Sequence, residues 1–363
     1  MNLNLNELEP LEEWLKHKQL ETRLFPNAKN DYFDRYWAIK KYLASDIYAW
    51  IGAGTSAEDK GIYTDHSIDH FNAVVRYAGH LLKLDCHSET PIHEQKLPIS
   101  PYETFITLVS ILLHDAGNIE GRRGHEKAPL RIFTNMGLAL CPNKLEASPI
   151  ATIARAHGGK VLDHQGEVTK DTIEHLNLKD DDSYGGIKFR PKLIAALVRF
   201  ADEICEDHSR AARYLLNNDS LPKKSEVFHH YANSIKSVEV DLRDRSVKLT
   251  FQLDKENVLR TFGKDNGNGF DEVYLIDEIN ERLEKMFCEL NYCKKYMYDL
   301  AHINRIKAVI SIYDEDENGD YLLIDEKSFE LKDLGYPQVN FSFKTQYPKW
   351  CGEKIKEKLK GMP

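Results

Sequence analysis

Two histidines and two aspartates stand where apolar helices do not tolerate them unaided. His114 and Asp115 close the nearly all-apolar run from Thr107 to Leu113; His70 shares a helix side with Val74 and Leu81; Asp202 interrupts the apolar stripe of residues 193–205. An ionised carboxylate among apolar neighbours is costly unless it is paired or ligated. Converging from three helices, the four would satisfy one another through a divalent cation. Mixed imidazole and carboxylate ligation suits Mn, Fe, Co, Ni, Zn or Mg rather than a thiolate-seeking ion. Singly, each residue is more often structural, and Asp115 could merely cap the next turn. Their combination is what points to a site.

The elements that must position these groups read as helices. Residues 1–60 are helical and aromatic-rich and end in Gly52-Ala53-Gly54-Thr55, which lacks phosphate-loop spacing and reads as a connector. An amphipathic stripe runs from His66 to Leu84. A second helix carries Phe105 to Leu113 and should stop near Gly117, and a third spans about 147–157. Residues 158–190 read as a polar excursion, and a fourth helix is expected from Lys192 to about Leu216. The period then changes. Val238, Val240 and Leu242, then Val247, Leu249 and Phe251, alternate about the turn Arg243-Asp244-Arg245, which is a β-hairpin. A loop at 266–269, a long helix at 271–300, a strand at 306–313, a shorter one at 320–325 and a lysine-rich helix at 348–360 complete the reading. The expected fold is mainly α: an N-terminal helical segment (1–60), a helical bundle (61–216) and a smaller α+β module (237–363).

The composition limits what such a site can serve. Hydrophobic residues make up 42% and charged residues 29%, as in an ordinary globular protein. The net charge of -9 disfavours a broad nucleic-acid surface, though a local basic groove stays open. The opening MNLNLNELEPLEEW lacks the layout of a secretory signal, and no apolar run approaches a membrane span. Six cysteines include no C-x-x-C pair, which favours a reducing cytoplasm over a zinc ribbon or a disulfide framework.

Three segments carry a resemblance: Asp65-His66-Ser67-Ile68-Asp69-His70-Phe71-Asn72-Ala73-Val74, Leu112-Leu113-His114-Asp115-Ala116-Gly117 and Val198-Arg199-Phe200-Ala201-Asp202-Glu203-Ile204. In order and helix context they resemble the H…HD…D signature of the HD superfamily of metal-dependent phosphohydrolases. With the opening Tyr63-Thr64-Asp65-His66, the first segment looks most like a bacterial HD subgroup found in conflict and anti-phage loci, which implies a role in antiviral defence. The resemblance covers about residues 60–215. It implies His70, His114, Asp115 and Asp202 as metal ligands. Members with two metals add two histidines between the doublet and the last aspartate, and His125 and His157 stand in that order here. Either they bind a second ion, giving one or two per chain, or they serve one ion as acids or phosphate donors. His66, four residues before His70, is either a supporting residue or a helix cap.

Basic residues crowd the same segments, and phosphate favours such partners, guanidinium especially. Arg122, Arg123 and Lys127 bracket His125, and Arg210 follows Asp202 by two turns. The expectation is hydrolysis of nucleotides by a metal-activated water, deoxynucleoside triphosphates favoured, with Asp115 holding metal and His125 protonating the leaving oxygen. A phosphodiesterase acting on single-stranded nucleic acid or cyclic nucleotides is the alternative enzyme. A non-catalytic nucleotide-sensing module is the alternative of another class. The remaining expectations are a small nucleotide ligand, a homo-oligomer, a cytoplasmic location and no membrane association.

Overall fold

The protein is described from a computed structural model, which covers residues 7–27, 31–51, 67–121, 124–298, 300, 302–315 and 319–332. Gly52 to His66, Arg122, Arg123 and the stretch 333–363 lie outside the described residues. The expectations for the glycine cluster, His66 and the 348–360 helix therefore concern residues that are not described.

Helices of seven residues or more are α1 (Pro10–Lys18), α2 (Tyr32–Leu43), α3 (Ile68–Leu81), α4 (Pro101–Leu113), α5 (Pro129–Asn135), α6 (Lys144–Arg155), α7 (Pro191–Glu203), α8 (Glu226–Ser234) and α9 (Leu275–Cys293). The chain is mainly α, with an α+β C-terminal module. At the centre lies α4, buried from Tyr102 to Leu113. Its start is fixed by Pro101 in the first turn and by a reciprocal cap between Ser100 and Glu103. The same Glu103 carboxylate takes Arg190 at 2.8 and 3.0 Å and thereby ties the start of α7 to the start of α4. At the other end, the Tyr48 hydroxyl donates to the Leu112 carbonyl, one of the acceptors that a helix terminus leaves unpaired.

The strands of five residues or more are β1 (Ile235–Asp241), β2 (Ser246–Asp254), β3 (Thr261–Asp265), β4 (Phe270–Tyr274), β5 (Arg305–Glu315) and β6 (Tyr321–Lys332). A four-stranded sheet has the order β6-β5-β2-β1, with β2 and β5 parallel and the other pairs antiparallel. β3 and β4 form a separate hairpin. A continuous apolar core joins Leu11 and Phe200 to Phe251 and Ile310, so the module is docked on the helical bundle.

Several sequence boundaries shift. The helix expected to reach Leu216 ends at Glu203, because Arg210 turns back to donate to the Cys205 carbonyl at 2.9 Å and Asp207 caps a new turn. The excursion 158–190 contains two small hairpins. Residues 270–274 belong to a strand rather than to the long helix, since Gly267 (φ +86°) closes a tight turn that returns them along β3. Extra length in β6, to Lys332, was hidden by the polar residues on both its faces.

Candidate metal centre

His70 enters from α3, whose first turn is capped by the Ser67 hydroxyl. His114 is the C-cap of α4, and Asp115 comes next in a bridge-region conformation (φ −106°, ψ 4°) that turns its carboxylate off the helix axis. Asp202 comes from the last turn of α7. These three elements bring the four residues together. Asp202 Oδ1 is 3.3 Å from His70 Nε2 and 3.5 Å from His114 Nε2, and Asp115 Oδ2 is 3.6 Å from His114 Nε2.

A second set converges on the other oxygen of Asp115. His125 Nε2 lies 3.0 Å from Asp115 Oδ1, and His157 Nε2 lies 3.6 Å from it. His157 stands just past the end of α6. His125 opens a short turn that is pressed against the residues after Asp115. A Cβ at Gly117 would meet the His125 carbonyl oxygen at 2.1 Å, so only glycine permits this approach. The glycine that closes the His-Asp-Ala-Gly segment thus has a spatial purpose, which is to admit His125.

The donor chemistry fits a cation. His114 Nδ1 is 2.7 Å from the Ile111 carbonyl and His157 Nδ1 is 2.7 Å from the Ala154 carbonyl. A carbonyl only accepts, so both rings carry their proton on Nδ1 and turn Nε2 toward the carboxylates. His114 Nε2 is buried without a hydrogen-bond partner among the described residues. Burial works against charge on His114, yet Asp115 and Asp202 overcome it and lift its pKa to about 9. The Asp115 and Asp202 carboxylates that raise it are the negative field that a cation between these residues would meet. Burial likewise opposes ionisation of Asp202, but His114 and His70 hold it well below the usual carboxylate range. His70 is shifted down, by burial first and the Arg210 charge second. Two groups have their ligand atoms close enough to share an ion: His70, His114 and Asp115, and Asp115, His125 and His157.

Beside these residues lies a cavity of about 440 Å³, reached by Asp115, His125, His157 and Asp202. Arg210 lines it, as the sequence suggested, and so do Lys160 and Lys170, which are exposed and make no ion pair among the described residues. Lys127 is exposed and is not among the residues lining the cavity. Arg122 and Arg123 are not described. Missed from sequence were the contributions of α8 and α9, which supply Phe228, Tyr231, Arg282 and Lys285. The period of α9 marked it as a helix, but nothing local marked which face would meet α7. That docking runs through three ion pairs: Arg199 with Glu289 at 2.6 Å, Lys285 with Glu203 at 2.7 Å and Arg282 with Glu206 at 3.3 Å.

A helical bundle presenting a His…His-Asp…Asp cluster, buried at His70, His114 and Asp115 and half-buried at Asp202, defines an HD-type domain. The HD-CE family model matches residues 61–285, and the chain belongs to that family. The match takes in α8 and the first half of α9 as well as the four ligand segments. No curated protein and no solved structure matches the chain. Among the described residues no helix is long and apolar enough to cross a membrane.

Proposed function

We propose that the protein is a metal-dependent phosphohydrolase acting on nucleotides, deoxynucleoside triphosphates first. The observation that carries this is the placement of one carboxylate, Asp115, between two histidine sets at the edge of a cavity that also presents Lys160 and Lys170. His70, His114, Asp115 and Asp202 would hold one divalent cation, and Asp115, His125 and His157 a second. Such cations supply Lewis acidity, making hydroxide available near neutral pH and offsetting phosphoryl charge.

The remaining work falls to the chain itself. Asp115 fixes the spacing between the two histidine sets. The lysines receive the phosphates that are not cleaved, as point charges on flexible stems. Water adds to phosphorus as the bond to the leaving oxygen breaks. If only one cation binds, His125 is left to give that oxygen its proton. Neither a serine nor a cysteine nucleophile is required, and Cys205, buried beside His70, is held as the neutral thiol by its burial. Preference for deoxynucleotides rests on the superfamily resemblance alone.

Hydrolysis of separate ribo- and deoxynucleoside mono-, di- and triphosphates, with Mn, Mg, Co or Ni supplied in turn, tests the proposal. Phosphate or triphosphate release by the wild type and none by Asp115→Asn supports it. Inactivity on every nucleotide, with cleavage of single-stranded DNA or a cyclic dinucleotide, would replace it by the phosphodiesterase reading.

A further inference from the structure

The cavity has two kinds of wall. One is made of the metal-facing residues and the lysines. The other comes from α8 and α9, where Phe228 and Tyr231, three residues apart on one helix face, line the cavity with Arg282. The Arg282 guanidinium lies 5.5 Å from the Phe228 ring centroid and 5.0 Å from that of Tyr231, and Glu278 anchors it at 2.8 Å. Phe228 and the Arg282 guanidinium give this wall a ring and a planar cation against which a heteroaromatic base can pack, and Tyr231, nearly buried, completes it.

Tyr231 adds a second, independent sign. It is 2% exposed, and its hydroxyl is buried with no hydrogen-bond partner among the described residues. A phenol left in that state is costly to the protein alone, and such an unpaired group on a residue that lines a cavity points to a ligand. Burial and the nearby Glu206 carboxylate keep the hydroxyl protonated, so it stands ready as a donor.

We propose that Tyr231 is a specificity-determining residue, whose hydroxyl donates a hydrogen bond to an acceptor on the nucleoside of the substrate while the base packs against the Phe228, Tyr231 and Arg282 wall. This rests on the nucleotide reading above and deepens it. The pair α8 and α9 thereby recognises what the histidine and aspartate cluster cleaves.

The test uses the full-length protein and Tyr231→Phe. With manganese present, kcat/KM is measured for dATP, dGTP, dCTP and dTTP separately, and for inorganic tripolyphosphate, which has no nucleoside. The ratio of the best nucleotide to tripolyphosphate should fall about tenfold in the variant, carried by KM, as expected for one lost hydrogen bond to a ligand. An unchanged ratio overturns the proposal. So does a wild type that cleaves both kinds of substrate equally well, although phosphohydrolase activity would then stand. If the wild type cleaves neither, the functional reading fails, and calorimetric binding of the four nucleotides in EDTA decides. Weaker binding by Tyr231→Phe sustains the inference; equal binding, or none by the wild type, ends it. Because the hydroxyl is unpaired, the ligand-free variant should unfold at the same urea concentration as the wild type or a higher one. A marked loss of stability would show a structural partner for the hydroxyl and contradict the proposal.

Discussion

Asp115 Oδ1 lies 3.0 Å from His125 Nε2, while the second oxygen of the same carboxylate faces His114 at 3.6 Å. One aspartate therefore serves two histidine sets. His157 belongs only to the first of these oxygens. His157→Ala should lower the bound metal from about two ions per chain toward about one, because the His70, His114 and Asp202 set is untouched. Elemental analysis of the purified variant reads this directly. An unchanged ratio, or an empty site, would contradict the division of ligands.

Gly117 holds the two sets in register. A methyl group there meets the His125 carbonyl at 2.1 Å, and backbone cannot yield as a flexible side chain can. Gly117→Ala should move the His125 turn at a cost of about 1–3 kcal/mol, the range of an overpacked core. Occupancy at His125 and His157 should fall with it, and nucleotide hydrolysis by about two orders of magnitude, as for misplaced catalytic groups. Wild-type metal content and rate in this variant would mean that the approach of the turn is incidental.

Arg199 fastens α9 to the site. Its guanidinium pairs with Glu289 at 2.6 and 2.8 Å and donates to Thr172 Oγ1 at 2.7 Å and to the Lys170 carbonyl at 3.2 Å. Both partners are nearly buried, at 7% and 15% side-chain exposure. Removing one member strands the other, which typically costs about 3–5 kcal/mol. Arg199→Ala should show that loss in urea unfolding, and Arg199→Ala with Glu289→Ala should recover part of it. A double variant no more stable than the single one would deny the coupling.

His230 makes the fold sensitive to acid. It lies against Phe262 with ring centroids 3.9 Å apart and the planes tilted by 32°, and burial, aided by the Arg260 charge, pushes its pKa from 6.5 down to about 4. The folded state prefers the neutral ring. Its contribution is therefore complete above pH 6.5 and is lost as pH falls from 6.5 through 4, by up to about 3 kcal/mol. His230→Gln should lose less stability than the wild type between pH 7 and pH 4, with EDTA present throughout so that metal release does not enter. Equal losses would mean that His230 is not the source of the acid sensitivity.

The sequence made the helical part of this arrangement readable because its signals are local. An apolar stripe with a misplaced aspartate or histidine is visible within one helix, and the end of α4 was legible from the His114-Asp115 doublet, whereas Pro101, read as part of a loop, proved to open that helix. His125 and His157 were legible only through their order relative to that doublet, and the turn that presses His125 onto Gly117 could not be read at all. The wall made by Phe228, Tyr231 and Arg282 was invisible for a related reason. Those residues meet across some fifty positions, and no periodicity encodes which face of α9 docks on α7. The stop at Glu203 was missed because a side chain, Arg210, ends that run by taking the Cys205 carbonyl; no proline or glycine marks the place.

The bridging role of Asp115 is open to a direct measurement: the metal content of Asp115→Ala, set beside the wild type after purification without chelator. The Asp115 carboxylate reaches both histidine sets, and among the described residues no other occupies that position between them. The wild type should carry at least about one transition metal ion per chain, and the variant should lose it together with nucleotide hydrolysis while keeping its helical circular dichroism. Metal retained at full occupancy in the folded variant would contradict the assignment of Asp115 as the shared ligand.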